Sequence, residues 1–153
     1  MDPSNTSALI VARLTRQQIR SAYSLMQAAD PSLRLVRWLR YARRVADQAD
    51  SASDGMLVAR RGATSHPCGA VCYQRVRHLR HGPVLTAEHF IALDLLQPEA
   101  VLSALAAELE VVAARLGCGT IRSIVHGSGA AVLGHLHSTG HILEGILLTK
   151  SLD

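Results

Sequence analysis

The stretch HFIALDLLQPEAVLSALAAELEVVAARLGCGTIRSIVH, residues 89–126, decides the fold. Its opening apolar run, His89–Leu96, has the length and composition of a β-strand. Through Gln97 and Pro98 it passes into a long apolar helix over Glu99–Leu116, and a proline suits the first turn of a helix. A second strand follows at Thr120–His126. Beyond it a short helix over Ser128–Ser138 and a closing strand over His141–Lys150 complete the order strand, helix, strand, helix, strand. The first strand-to-helix turn carries no glycine.

Upstream, Ala8–Leu14 reads as a strand bounded by Ser7 and Thr15. Thr15 can cap a helix over Arg16–Ala29, where Ile19, Ala22, Tyr23 and Met26 recur at helical spacing. Pro31 marks the boundary to a second helix, Ser32–Ala49. Leu35, Trp38, Leu39, Ala42, Val45, Ala46 and Ala49 share its apolar face, and Arg34, Arg37, Arg40 and Arg44 line another. Asp50–Asp54 ends it. Met56–Arg60 and Cys68–Arg77 read as strands joined by a turn holding Gly62 and Pro67, and His81-Gly82-Pro83 turns into an antiparallel continuation, Val84–Leu96. No linker divides the chain, so a single domain over residues 1–153 is expected. Its class is α/β, a mixed and mostly antiparallel sheet flanked by four helices.

Composition narrows the function. At 153 residues the chain can bury roughly 70% of its unfolded surface, and 48% hydrophobic residues supply a core. Aromatics are only 3%, so Ala, Leu and Val must fill it. No apolar run reaches the roughly 18 residues of a membrane span, and Met1–Ser7 lacks the basic-then-apolar pattern of a signal peptide. Cys68, Cys72 and Cys118 cannot all pair and show no zinc-like spacing. A reducing cytoplasm fits. The net charge of +4 does not argue for nucleic acid: the basic residues are arginines except Lys150, as a GC-rich genome would produce, and aromatics that would stack bases are nearly absent.

Three local features carry a family resemblance. Gly55-Met56-Leu57-Val58-Ala59-Arg60-Arg61-Gly62, followed by Cys68-Gly69-Ala70-Val71, resembles the paired middle strands of GNAT acetyltransferases. Glu88-His89-Phe90-Ile91-Ala92-Leu93 resembles the central strand against which pantetheine lies in that family. Ala131-Val132-Leu133 through Ser138-Thr139-Gly140-His141, then Glu144-Gly145, resembles its fourth helix, Gly-Phe turn and last strand. The resemblance covers essentially the whole chain. It implies a GNAT-like acyl-CoA N-acyltransferase fold, acetyl-CoA or another acyl-CoA as cofactor, and a small-molecule or peptide amine as acceptor; a homodimer is compatible. The cofactor would meet Leu93 and Leu95 on the central strand, Ala100 and Val101 in the next helix, and Ser128 and Gly129 at the last helix.

The departures from that pattern bear on chemistry. The family's Gln/Arg-x-x-Gly-x-Gly/Ala turn lets backbone N–H groups and a helix dipole hold a pyrophosphate. Here the stretch is Leu96-Gln97-Pro98-Glu99-Ala100-Val101, which lacks glycine, loses a donor at Pro98 and adds a negative charge at Glu99. The family's leaving-group tyrosine falls on Leu136, and its CoA-contacting Asn falls near Gly129. The expected function is therefore an acyl-CoA-dependent N-acyltransferase with a degenerate cofactor site. The alternative is a non-catalytic binding or assembly module that keeps the fold.

Three residues are candidates for acid–base work. Glu88 stands where several family members place the base that deprotonates the amine, and an apolar setting can raise a carboxylate pKa toward that task; a charge at an exposed strand end is the competing reading. Asp94 lies on the same face as Glu88 if the strand alternates regularly, with a structural partner as its alternative role. His126 ends a parallel-type strand, where ligands of open α/β sheets gather; Ser128 beside it is a possible contact or simply a helix cap. These residues are expected around a cleft between the strands at 88–96 and 120–126. No metal is expected, because His78-x-x-His81 falls in a turn and His135 and His137 project apart on a helix.

Overall fold

The computed structural model describes residues 8–62, 66–126 and 129–152. Strand β1 spans Leu9–Arg13, and a single 3-10 turn over Arg16–Gln18 leads into helix α1, Ile19–Ala29. Helix α2 (Leu35–Ala46) is followed by three long strands, β2 (Asp54–Arg61), β3 (Pro67–His78) and β4 (Gly82–Ala92). Helix α3 (Pro98–Arg115), strand β5 (Thr120–Ile124) and helix α4 (Ala130–Ser138) complete the set. The five strands form one sheet in sequence order, antiparallel throughout except for the parallel pair β4–β5.

Helices cover both faces of this sheet, which is why β2 and β3 read as nearly continuous apolar runs. Met56, Val58, Ala70 and Cys72 face α1 and α2 and join Ile19, Leu25, Trp38 and Val45 in one core. The alternate residues Leu57, Ala59, Val71 and Tyr73 face α3 and pack with Val101, Leu105, Leu109 and Val112 in a second. Strand alternation alone sorts the two sets. Trp38 is 2% exposed and donates its indole N–H to the Ile19 carbonyl at 2.8 Å, which fixes α2 against α1.

Between α1 and α2, the Asp30 carboxylate accepts from the Ser32 N–H at 3.0 Å and from its hydroxyl. That side-chain turn competes with helix and delays the start of α2 to Leu35 rather than Ser32. The approach of α3 to the sheet is set by Gly69. A Cβ there would strike the Val101 side chain and come within 3.0 Å of the Ile91 carbonyl. Only glycine lets the helix settle at that depth.

Strand β4 is not regular. Ala70 pairs with Ile91 and Cys72 with Glu88, so three steps on β4 match two on β3. The extra residue is a bulge, and His89 within it has φ 58°, in the left-handed region. The bulge switches faces: Leu85 and Ala87 point to the α3 core, whereas Ile91, also odd-numbered, points to the α1–α2 core. The expectation that Asp94 shares a face with Glu88 assumed an unbroken alternation, and one inserted residue overturns it.

Two further expectations are corrected. Strand β4 stops at Ala92, short of Leu96, because Asp94 closes a turn there through hydrogen bonds to the Leu96 and Gln97 amides. The segment 141–152 forms neither strand nor helix, although a closing strand was expected over His141–Lys150.

Candidate active site at the parting of β4 and β5

β4 and β5 pair from Val84↔Thr120 to Glu88↔Ile124, and there β5 ends. β4 continues to Ala92 with its bulge, so the two strands part at Glu88. Across this parting Glu88 meets two histidines. Its Oε2 lies 3.6 Å from His89 Nε2 and 3.8 Å from His126 Nε2. The two imidazoles stack with centroids 5.0 Å apart and 23° between planes. The left-handed backbone at His89 accompanies this placement of its ring beside His126 rather than across the sheet.

These groups line a cavity of about 570 Å³. Its walls come from the end of α1 and the following loop (Met26, Asp30, Leu33), from α2 (Arg37, Trp38, Tyr41, Arg44), from the sheet (Asp54, Cys72, Glu88, His89), and from the exit of β5 and start of α4 (Ile124, His126, Gly129, Val132). Asp30 is held below the ordinary carboxylate range, first by the Ser32 hydroxyl and amide and in smaller part by the charge of His89 and His126. Arg44 balances Asp54 at 2.7 Å and lies over the Tyr41 ring. Burial raises the Tyr41 phenol well above its usual range and pushes the Cys72 thiol up to about 11. Both keep their protons near neutrality.

Of the residues read from the sequence, the structure brings Glu88, His126 and Gly129 into this cavity. Asp94 is elsewhere. Its Oδ2 accepts from Arg61 Nε at 2.6 Å, and its Oδ1 accepts from the Leu96 and Gln97 amides at 2.9 and 3.0 Å. Those bonds, the Gln97 amide first, lower its pKa. Leu93 and Leu95 lie beyond the strand and are exposed, Ala100 is half-buried, and Val101 is wholly buried in the α3 core. Ser128 lies outside the described residues.

Sequence reasoning missed His89, Asp30, Arg37 and Tyr41. His89 was masked by the assumption of regular alternation. Arg37 and Arg44 belong to the arginine face of the second helix, and both line the cavity. Among the described residues, Glu88, His89 and His126 are also the set whose ligand atoms, all within 4.8 Å of one another, could hold a metal ion. His78 closes the turn between β3 and β4, its Nδ1 accepting from the amides of Arg80 and His81.

Comparison with solved structures decides the architecture. The aminoglycoside N-acetyltransferase AAC(6')-Iy in complex with CoA superposes with a TM-score of 0.82 at 13% identity, covering 100% of both chains. The GNAT fold is therefore present. A transcriptional regulator from Bacillus halodurans C-125 gives 0.81 at 14% identity over 95% of this chain and 100% of its own. The ribosomal-protein-alanine N-acetyltransferase from Brucella melitensis biovar Abortus 2308 gives 0.73 at 12%, again over 95% and 100%. No family model matches the sequence, and no curated protein matches it.

The GNAT resemblance puts a leaving-group tyrosine at position 136. Leu136 is 4% exposed, the only buried residue of α4, and it does not line the cavity. The same framework puts a pyrophosphate at the start of α3. There the amides of Leu96 and Gln97 already serve Asp94, Pro98 has no N–H, and Glu99 occupies the first turn. No helix among the described residues is long and apolar enough to cross a membrane.

Proposed function

We propose that the protein is an acyl-CoA-dependent N-acyltransferase with a weakened cofactor site, acting on a small-molecule or peptide amine. One observation carries the reading: Glu88 sits where β4 and β5 part, flanked by His89 and His126, at the wall of a 570 Å³ cavity. The gap beyond Glu88 suits an extended pantetheine arm, since the backbone of β4 past the bulge has no β5 partner. The pyrophosphate half fits poorly, because a protein carboxylate fills the turn that would receive it. When bound, an acyl-CoA supplies a thioester carbonyl.

The chain's own part is to collect and deprotonate the amine. Asp30 and Glu88 favour an ammonium entering the cavity, while Arg44 offsets Asp54. Glu88 takes the proton, and the adjacent imidazole of His126 passes it toward solvent. The free amine would then form its C–N bond at a thioester carbon as the C–S bond breaks, and with Leu136 unable to donate, the leaving thiolate would take its proton from solvent. Three cysteines without disulfides are compatible with a reducing, cytoplasmic setting.

A binding or assembly module is the second reading, favoured by the Asp94-filled turn. Acetyl-CoA and CoA titrations followed by thermal unfolding, with a thiol-release assay on a panel of amines, separate the two. A ligand that binds the native state at 100 times its Kd should add about 2.7 kcal/mol of stability. Stabilisation with thiol release supports the enzyme. No shift and no release at millimolar acyl-CoA supports the module.

A further inference from the structure

Glu88, His89 and His126 aim three donor atoms at one point on the cavity wall. Oε2 of Glu88 lies 3.6 Å from His89 Nε2 and 3.8 Å from His126 Nε2, both longer than a hydrogen bond. The ligand atoms of the three residues all lie within 4.8 Å of one another. Stacking sets the two imidazoles side by side, so both Nε2 atoms approach the same carboxylate oxygen. The three groups converge on a gap without filling it.

Neighbours in a regular strand could not do this, because Glu88 and His89 would point to opposite faces. The bulge brings them together. Its backbone at His89, φ 58°, is one that a residue with a Cβ rarely adopts. His89 joins neither core, so packing does not account for the inserted residue. The third donor comes from the exit of β5, where that strand parts from β4.

We propose that Glu88, His89 and His126 bind a zinc ion, with a fourth position open to the cavity. Two imidazoles and one carboxylate suit zinc, which in open sites takes three protein ligands. Tetrahedral zinc, with ligands at about 2.0–2.2 Å, holds them roughly 3.3–3.5 Å apart. The side chains of Glu88, His89 and His126 are 40%, 44% and 55% exposed, so small rotations close the difference and the ion can enter from solvent. Calcium and magnesium prefer shells of oxygen and are poor occupants. Of the other charges lining the cavity, Asp30 favours a cation, Asp54 is balanced by Arg44, and Arg37 opposes one. The site goes beyond the acyl-transfer reading and does not rest on it. If the cavity also transfers acyl groups, a bound ion takes the carboxylate that would accept the amine's proton, and zinc blocks the reaction.

The full chain, stripped of metal by a chelator, tests this by calorimetric titration with zinc chloride alone, without acyl-CoA. One zinc per chain is expected, undisturbed by millimolar magnesium. No binding at hundreds of micromolar zinc overturns the proposal. His89→Ala and His126→Ala should each weaken binding by at least about tenfold, the least that even an outer-shell change costs. Zinc retained by both variants and lost in His81→Ala sits at His81 and Glu144 instead, and overturns the assignment. Should a variant fail to fold, diethyl pyrocarbonate labelling of the unmodified chain gives the reading by mass spectrometry. Zinc should shield His89 and His126 from modification; shielding confined to other histidines refutes the site.

Discussion

Asp94 and Arg61 lock the turn between β4 and α3, carboxylate Oδ2 to guanidinium Nε at 2.6 Å, with the other carboxylate oxygen capping two amides. The carboxyl titrates below its ordinary value, so its folded-state pKa is depressed. Its contribution is then fully present above the unfolded value of about 3.9 and fades as the pH falls through the lowered folded value. Asp94→Asn should lower stability at pH 7, and the difference from the parent should shrink as unfolding is followed down through pH 4 toward pH 2. A difference that grows with acidification would contradict this role. Asp94→Ala, which uncaps the Leu96 and Gln97 amides and removes a negative charge, should raise acyl-CoA affinity.

Glu88→Gln keeps the size of the side chain and removes the proton acceptor. Acyl transfer should fall by about 10²-fold or more, the scale of positioned acid–base catalysis, with a small change in thermal stability. Stopped assays across pH 6–9 check this; an unchanged rate would move the base to another group.

Gly69→Ala puts a methyl group against Val101 and the Ile91 carbonyl. It should cost about 1–3 kcal/mol in chemical denaturation, as overpacking does. Adding Val101→Ala makes room for it. The double variant should be more stable than the sum of the two single losses predicts, by a coupling of about 0.5–3 kcal/mol.

Leu136→Tyr distinguishes a packed leucine from a vacant acid position. Leu136 is buried under α4 away from the cavity, so the tyrosine should destabilise by about 1–3 kcal/mol without accelerating transfer. A faster reaction would show that the ring reaches the cavity after all.

Most elements were legible because their signals are local. The continuous apolar runs of Met56–Ala59 and Ala70–Tyr73 and the helical stripe through Trp38, Ala42 and Val45 mark the strands and α2 directly. Pro98 and Glu99 mark the start of α3. What stayed hidden depends on pairing. The bulge at His89 is defined by its register with β3, and composition does not record a register. Because of it, Glu88 was paired in expectation with Asp94 when its real neighbours are His89 and His126. The cluster is assembled by the β4–β5 register, across a long loop of sequence that spacing rules cannot span. His141–Lys150 shows the converse: its residues read as a strand, but a strand also needs an edge to bind.

The single inserted residue in β4 makes that strand read in two frames. Before His89, odd positions belong to the α3 core; after it, they belong to the α1–α2 core. Conservative replacement within the strand leaves both frames intact, whereas deleting one residue at the bulge would merge them. Ile91 would keep Ala70 as its partner and its place in the α1–α2 core, Phe90 and Ala92 would stay on the α3 side, and the ring that His89 stacks on His126 would be lost. The inserted residue therefore serves the Glu88, His89 and His126 cluster rather than the two cores.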